Sequence, residues 1–161
     1  MENTLGVRIL SLPKCRMVTS GMETGAPFEP GSKLMQFSEW FSKIDSSDRF
    51  MPGDFLWYDE DKPGMEWWYV HSEGMDVAGY DVIDYAGGLY AAAISVDEHE
   101  TDGTRVYMGI KEWIADHGFE SDERPGHRTM FHIPTPPKAK KAMGFNQLDI
   151  FVPIKVKEGQ A

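Results

Sequence analysis

The densest chemistry in this sequence lies in Met65-Glu66-Trp67-Trp68-Tyr69-Val70-His71, an aromatic run that alternates as a strand. Adjacent strand residues point to opposite faces, so Glu66 shares a face with Trp68, and Trp67 and Trp68 cannot both lie beneath one helical layer. One indole faces the other side, or a groove. A carboxylate beside an indole can receive a cation or act in proton transfer. Aromatic walls with few polar groups are also how small-molecule pockets are built. The competing account is an aromatic core with one exposed edge Trp and a solvated Glu66.

Other chemistries find little support. The histidines, His71, His99, His117, His127 and His132, form no pair with helical metal spacing, and Cys15 is the single cysteine. No glycine loop ends in Lys-Ser/Thr, and no nucleophile elbow is present, although a Ser/His/Asp triad stays open. Asp59-Glu60-Asp61-Lys62-Pro63-Gly64 resembles a calcium loop only on the surface. Pro63 occupies a ligand position and no Glu closes the loop, so a hairpin turn is expected. Neither a metal nor a cofactor is expected.

The formal net charge of −10 repels phosphate backbones, and Lys138, Lys140 and Lys141 form the only basic cluster, read as a solvated loop. Direct nucleic-acid binding is therefore not expected. The acidic runs Asp97 to Glu100 and Glu120 to Glu123 read as loops. No run of about 18 apolar residues would cross a membrane. Met1-Glu2-Asn3-Thr4 lacks the pattern of a leader, and a lone Cys15, read as a half-buried inert thiol, suits a reducing cytosol. A cytoplasmic location is expected.

The elements that must position these residues repeat at an offset of 73 residues. Arg8 to Leu12 falls on Asp81 to Tyr85, and Arg16 to Ser20 on Leu89 to Ala93. Glu39-Trp40 falls on Glu112-Trp113, and Phe55 to Asp59 on Arg128 to His132. The last strand slips, Glu66 to Ser72 matching about Leu148 to Ile154, past an insert at Pro134 to Asn146. Tyr80 to Val96 reads as one long strand kinked at Gly87-Gly88, through a bulge or a close backbone approach, with a plain hairpin turn as the alternative. Each unit then reads strand, helix, strand, strand. The first helix, about Ser32 to Ile44, shows Leu34, Phe37, Trp40, Phe41 and Ile44 on one stripe, with Ser32 as its cap. The second, about Thr104 to His117, repeats this with Val106, Ile110, Trp113 and Ile114, Thr104 as its cap and Gly118 as its stop. The expected fold is α+β: a tandem duplication over residues 7–72 and 80–156 in a single domain of residues 1–161. It has an antiparallel sheet, two main helices and a central groove.

Gly87-Gly88-Leu89-Tyr90-Ala91, Glu112-Trp113-Ile114 and the closing Leu148 to Ile154, in this order and on this duplicated plan, resemble the GyrI-like small-molecule-binding domain. That family includes the effector-binding domains of AraC-type and multidrug-sensing MerR-type regulators. The resemblance covers about Val7 to Val156 and implies a ligand groove between two tandem units. Regulators of the family carry a helix-turn-helix on the N-terminal side. Only about six residues precede the first strand here, so a stand-alone, bacterial-type form is expected. Family members often carry Phe-Glu-x-Tyr on the strand before the last. That strand reads Thr129-Met130-Phe131-His132-Ile133 here, so no pocket acid carries over, and Glu66 is the substitute. The pocket residues expected are Trp40, Glu66, Trp68, Tyr90, Trp113 and Phe151, with core packing as the alternative for Trp40 and Trp113. The resemblance implies binding of a small aromatic organic molecule, with cations among the candidates. Its rivals are hydrolysis of electrophilic cyclopropane-bearing toxins, which some stand-alone relatives perform, and a protein-interaction role like that of a relative that binds DNA gyrase.

Overall fold

The computed structural model describes residues 4–44 and 53–159; Met1 to Asn3, where the missing leader pattern was read, lie outside them. Its strands are β1 (Arg8–Leu12), β2 (Cys15–Thr19), β3 (Asp54–Asp59), β4 (Gly64–Val70), β5 (Asp81–Tyr85), β6 (Gly88–Val96), β7 (Phe119–Ser121), β8 (Met130–His132) and β9 (Gln147–Val156). Its helices are α1 (Lys33–Ser42), α2 (Glu100–Asp116) and α3 (Pro137–Met143). The fold is α+β, and its pairings are antiparallel. The chain forms two compact units, one of residues 14–86 and one of residues 4–13 with 87–159.

In the unit of residues 14–86 the strands run β5-β2-β4-β3. Asp59 to Gly64 makes the expected hairpin, with Asp59 Oδ1 accepting from the Asp61 amide at 2.9 Å. Ser32 caps α1, its Oγ accepting from the Met35 amide at 3.2 Å. The helix buries Leu34 and Phe37, and Phe37, Trp40, Phe41 and Ile44 pack with Val18, Trp67, Tyr69, Tyr80 and Val82. Burying a side chain such as Phe37 is worth about 1.5–3 kcal/mol, which is how a short helix with modest propensity holds its place.

In the other unit the order is β1-β6-β9-β8, with β7 also on β9. Here α2 packs Val106, Ile110 and Ile114 onto Ala91, Ala93, Ile150, Val152 and Ile154. It begins a full turn before the expected Thr104. His99 Nδ1 accepts from the Asp102 amide at 3.0 Å, and Glu100, expected in a loop, fills the first turn with Asp102. Acidic residues at that end complement the helix dipole. The basic cluster is likewise not a loop but the short helix α3, which starts on Pro137, ends at Gly144 with φ 86° and buries none of its side chains.

The expected single strand from Tyr80 to Val96 is two strands with separate partners: β5 pairs with β2, and β6 with β1 and β9. Gly87 turns between them at φ 74°. The close approach expected of the glycine pair is real at Gly88, where an added Cβ would lie 2.6 Å from His127 Nε2.

The two units thus share one strand order, each closed by the first strand of a repeat. The paired residues also correct the repeat register. Thr19 pairs with Trp68 and Ala92 with Phe151, so Phe151 stands where Trp68 does and Asp149 where Glu66 does. Likewise Met130 stands for Phe55 and His132 for Trp57. The alignment above put Glu66 on Leu148, one residue off, and in a strand one residue moves a side chain to the opposite face.

Candidate functional site

Within residues 14–86 the sheet has one face under α1 and one that no described helix of this unit covers. Glu66 and Trp57 are direct cross-strand partners, as are Trp68 and Phe55, and Trp68 and Thr19. Such partners share a face, and it is the face that α1 does not cover. Trp67 points the other way: its ring lies 5.1 Å from Phe41 and its Nε1 donates to Asp54 Oδ2 at 3.0 Å. The strand alternation therefore separates the two indoles as the sequence required.

On the face that α1 does not cover, Trp68 is the centre of an aromatic row. Its ring centroid lies 5.2 Å from Trp57 and 5.6 Å from Tyr85, both tilted. Trp68 Nε1 donates to Glu66 Oε2 at 2.5 Å. Trp57, Trp68 and Tyr85 are buried, while Glu66 is half-buried. A carboxylate accepting from an indole N–H is a charge-assisted bond, stronger than a neutral one, and it fixes the acid beside the rings. Trp57 Nε1 is buried and has no acceptor among the described residues.

The corresponding face of the other unit is built differently. Tyr90, wholly buried, lies 6.4 Å from Phe151 and 4.9 Å from the ring of His127, both edge-on. His127 holds its Nδ1 3.0 Å from the Asp122 carbonyl oxygen and 3.3 Å from Asp122 Oδ2. Asp149, the counterpart of Glu66, is buried, 3.7 Å from Arg8 and opposite His132. Burial pushes its carboxyl up, and the charges of His132 and Arg8 act against that.

Of the residues expected from the sequence, Glu66 and Trp68 come together on one face, and Tyr90 and Phe151 on the corresponding face of their own unit. Trp40 and Trp113 lie instead in the layers between helix and sheet. Trp40 packs on Phe37, Tyr69 and Tyr80, and Trp113 stacks on His117 at 3.8 Å and joins the α2 core. Four further residues, Trp57, Tyr85, His127 and Asp149, were not singled out. A cross-strand pairing identifies Trp57, and the correct β9 register would have found Asp149 as the one acid in Leu148 to Ile154. Among the described residues no group of three His, Cys, Asp or Glu could hold a metal. No described helix is long and apolar enough to cross a membrane.

No family model and no curated protein matches the chain. Solved structures do match it. A hydrolase from Listeria innocua is similar with a TM-score of 0.63 at 8% identity, covering 94% of this chain and 92% of that one. The EcmrR C-terminal domain is similar with a TM-score of 0.63 at 10% identity, covering 95% and 99%. SAV2435, solved bound to tetraphenylphosphonium, is similar with a TM-score of 0.54 at 13% identity, covering 96% and 94%. At these identities the likeness is one of fold, and it is consistent with the GyrI-like plan that the sequence resembles.

Proposed function

We propose that this chain is a single, cytoplasmic effector-binding domain of the GyrI-like kind that binds a small aromatic organic cation. The observation that carries the reading is the Glu66–Trp68 pair, flanked by the rings of Trp57 and Tyr85. An indole face and a nearby anion both favour positive charge, and both gain strength where water is excluded. The fold shared with SAV2435, whose structure holds a lipophilic cation, supports the same ligand class.

Calorimetric titration of tetraphenylphosphonium and of neutral triphenylphosphine oxide tests the reading. Glu66→Gln keeps the shape and removes the charge. It is expected to cost about 1–3 kcal/mol in cation binding, roughly ten- to a hundredfold, and much less for the neutral ligand. An unchanged cation affinity places the site elsewhere.

A second reading, hydrolysis of an electrophilic small molecule, is favoured by the same carboxylate and by the fold shared with the Listeria hydrolase. Glu66 would then act as general base on water, and Glu66→Gln would abolish turnover while leaving binding largely intact.

A further inference from the structure

We infer that the ligand of this face carries a hydrogen-bond acceptor next to its cationic centre, and that Trp57 Nε1–H is the group that reads it. The inference rests on the cation-binding reading and adds a second recognition element to it. Trp57 is 8% exposed, and its Nε1 is buried without an acceptor among the described residues. A buried donor left unpaired carries its full desolvation cost, and most buried polar groups in folded proteins are paired. The neighbouring groups do not relieve it. Glu66, directly across the β3–β4 pair, accepts from Trp68 at Oε2. Trp68 offers Trp57 only a tilted ring, 5.2 Å away. A donor already stripped of water gains from any acceptor that arrives, so it discriminates more sharply than a solvated one. Glu66 and Trp57 then divide the work: the carboxylate selects positive charge, and the indole N–H selects a carbonyl, ether or similar oxygen on the same molecule. As cross-strand partners they stand on neighbouring strands with their Cβ atoms roughly 5 Å apart, so both features must sit on one small ligand.

The test compares tetraphenylphosphonium with its ortho-, meta- and para-acetyl derivatives, titrated by calorimetry into the wild type and Trp57→Phe. At least one isomer is expected to bind the wild type about five- to twentyfold tighter than the parent cation. Trp57→Phe, which keeps an aromatic ring and removes the N–H, should erase that preference, read as the ratio of isomer to parent affinity within each protein, even where losing the indole face weakens both ligands. In the wild type, the Trp57 indole proton should shift downfield on binding the preferred isomer and not on binding the parent. That measurement stands whether or not the variant folds. If the parent cation binds and responds to Glu66→Gln, yet no isomer gains or the gain survives Trp57→Phe, this inference fails and the cation-binding reading stands. If the parent does not bind at all, both fall.

Discussion

Gly88→Ala should destabilise the protein through one contact. The new Cβ would stand 2.6 Å from His127 Nε2 and 3.1 Å from its Cδ2, well inside the roughly 3.5–4.0 Å at which carbon atoms rest. The imidazole has little room to yield. It is 3% exposed, its Nδ1 is held by the Asp122 carbonyl at 3.0 Å, its backbone bridges Arg124, and the Tyr90 ring lies 4.9 Å away. Overpacking of this kind costs about 1–3 kcal/mol. Replacing a strand glycine returns about 0.5–1 kcal/mol. The net expectation is a loss of about 1–2 kcal/mol, a fall in Tm of roughly 2–8 °C for a chain of this size. Urea and thermal melts followed by circular dichroism measure it. The decisive control is a double-mutant cycle with His127→Ala. Once the ring is gone, Gly88→Ala should be neutral or mildly stabilising. Equal effects of Gly88→Ala in both backgrounds would refute the contact, as would a wild-type Tm in the single variant.

Two further expectations concern acids. Burial raises the Asp149 carboxyl, so the folded state disfavours its ionised form, and the associated stability falls as pH rises from the ordinary carboxylate range through the raised value. Asp149→Asn should therefore compare more favourably with the wild type in thermal melts at pH 7 than at pH 3.5, and the opposite trend would show that Arg8 outweighs burial. Asp102 behaves in the other direction: hydrogen bonds from Arg105, the Val96 amide and Ser95 lower it to about 2. Its contribution is present above the ordinary value and lost as pH falls toward about 2. Asp102→Asn should thus melt earlier than the wild type at pH 7 and converge with it in acid; a constant gap would mean that the side chain acts through packing alone.

Much of the architecture was legible because it is written in short-range patterns. The α1 stripe, the Ser32 cap and the β3–β4 hairpin each depend on neighbours a few residues away, and each is where the sequence placed it. The opposed faces of Trp67 and Trp68 followed from alternation alone. What was missed depends on pairing between distant segments. The helix start at Glu100 is the exception, declared locally by the His99 cap and the acidic first turn of Glu100 and Asp102. The separation of β5 from β6 is decided by β2 and β1, far back in the chain. In the candidate site, Glu66 and Trp68 were visible as an i, i+2 pair, whereas Trp57 joins them only through the β3–β4 register. Asp149 was hidden by an alignment one residue out of step, enough to exchange the two faces of β9.

The strand order has a consequence in time. As the chain leaves the ribosome, β1 emerges first, but its neighbour β6 does not exist until the first repeat and its linker have been made. β2 waits in the same way for β5, while β3 and β4 close locally as soon as they appear. Residues 14–86 can therefore finish once Tyr85 is out, and β1, carrying Ile9, Leu10 and Leu12, stays unpaired beyond that point. An apolar strand edge left open during synthesis invites pairing with the wrong chain. Arg8 at the start of β1 and Pro13 and Lys14 just after it are the kinds of residue that discourage such pairing while the segment waits.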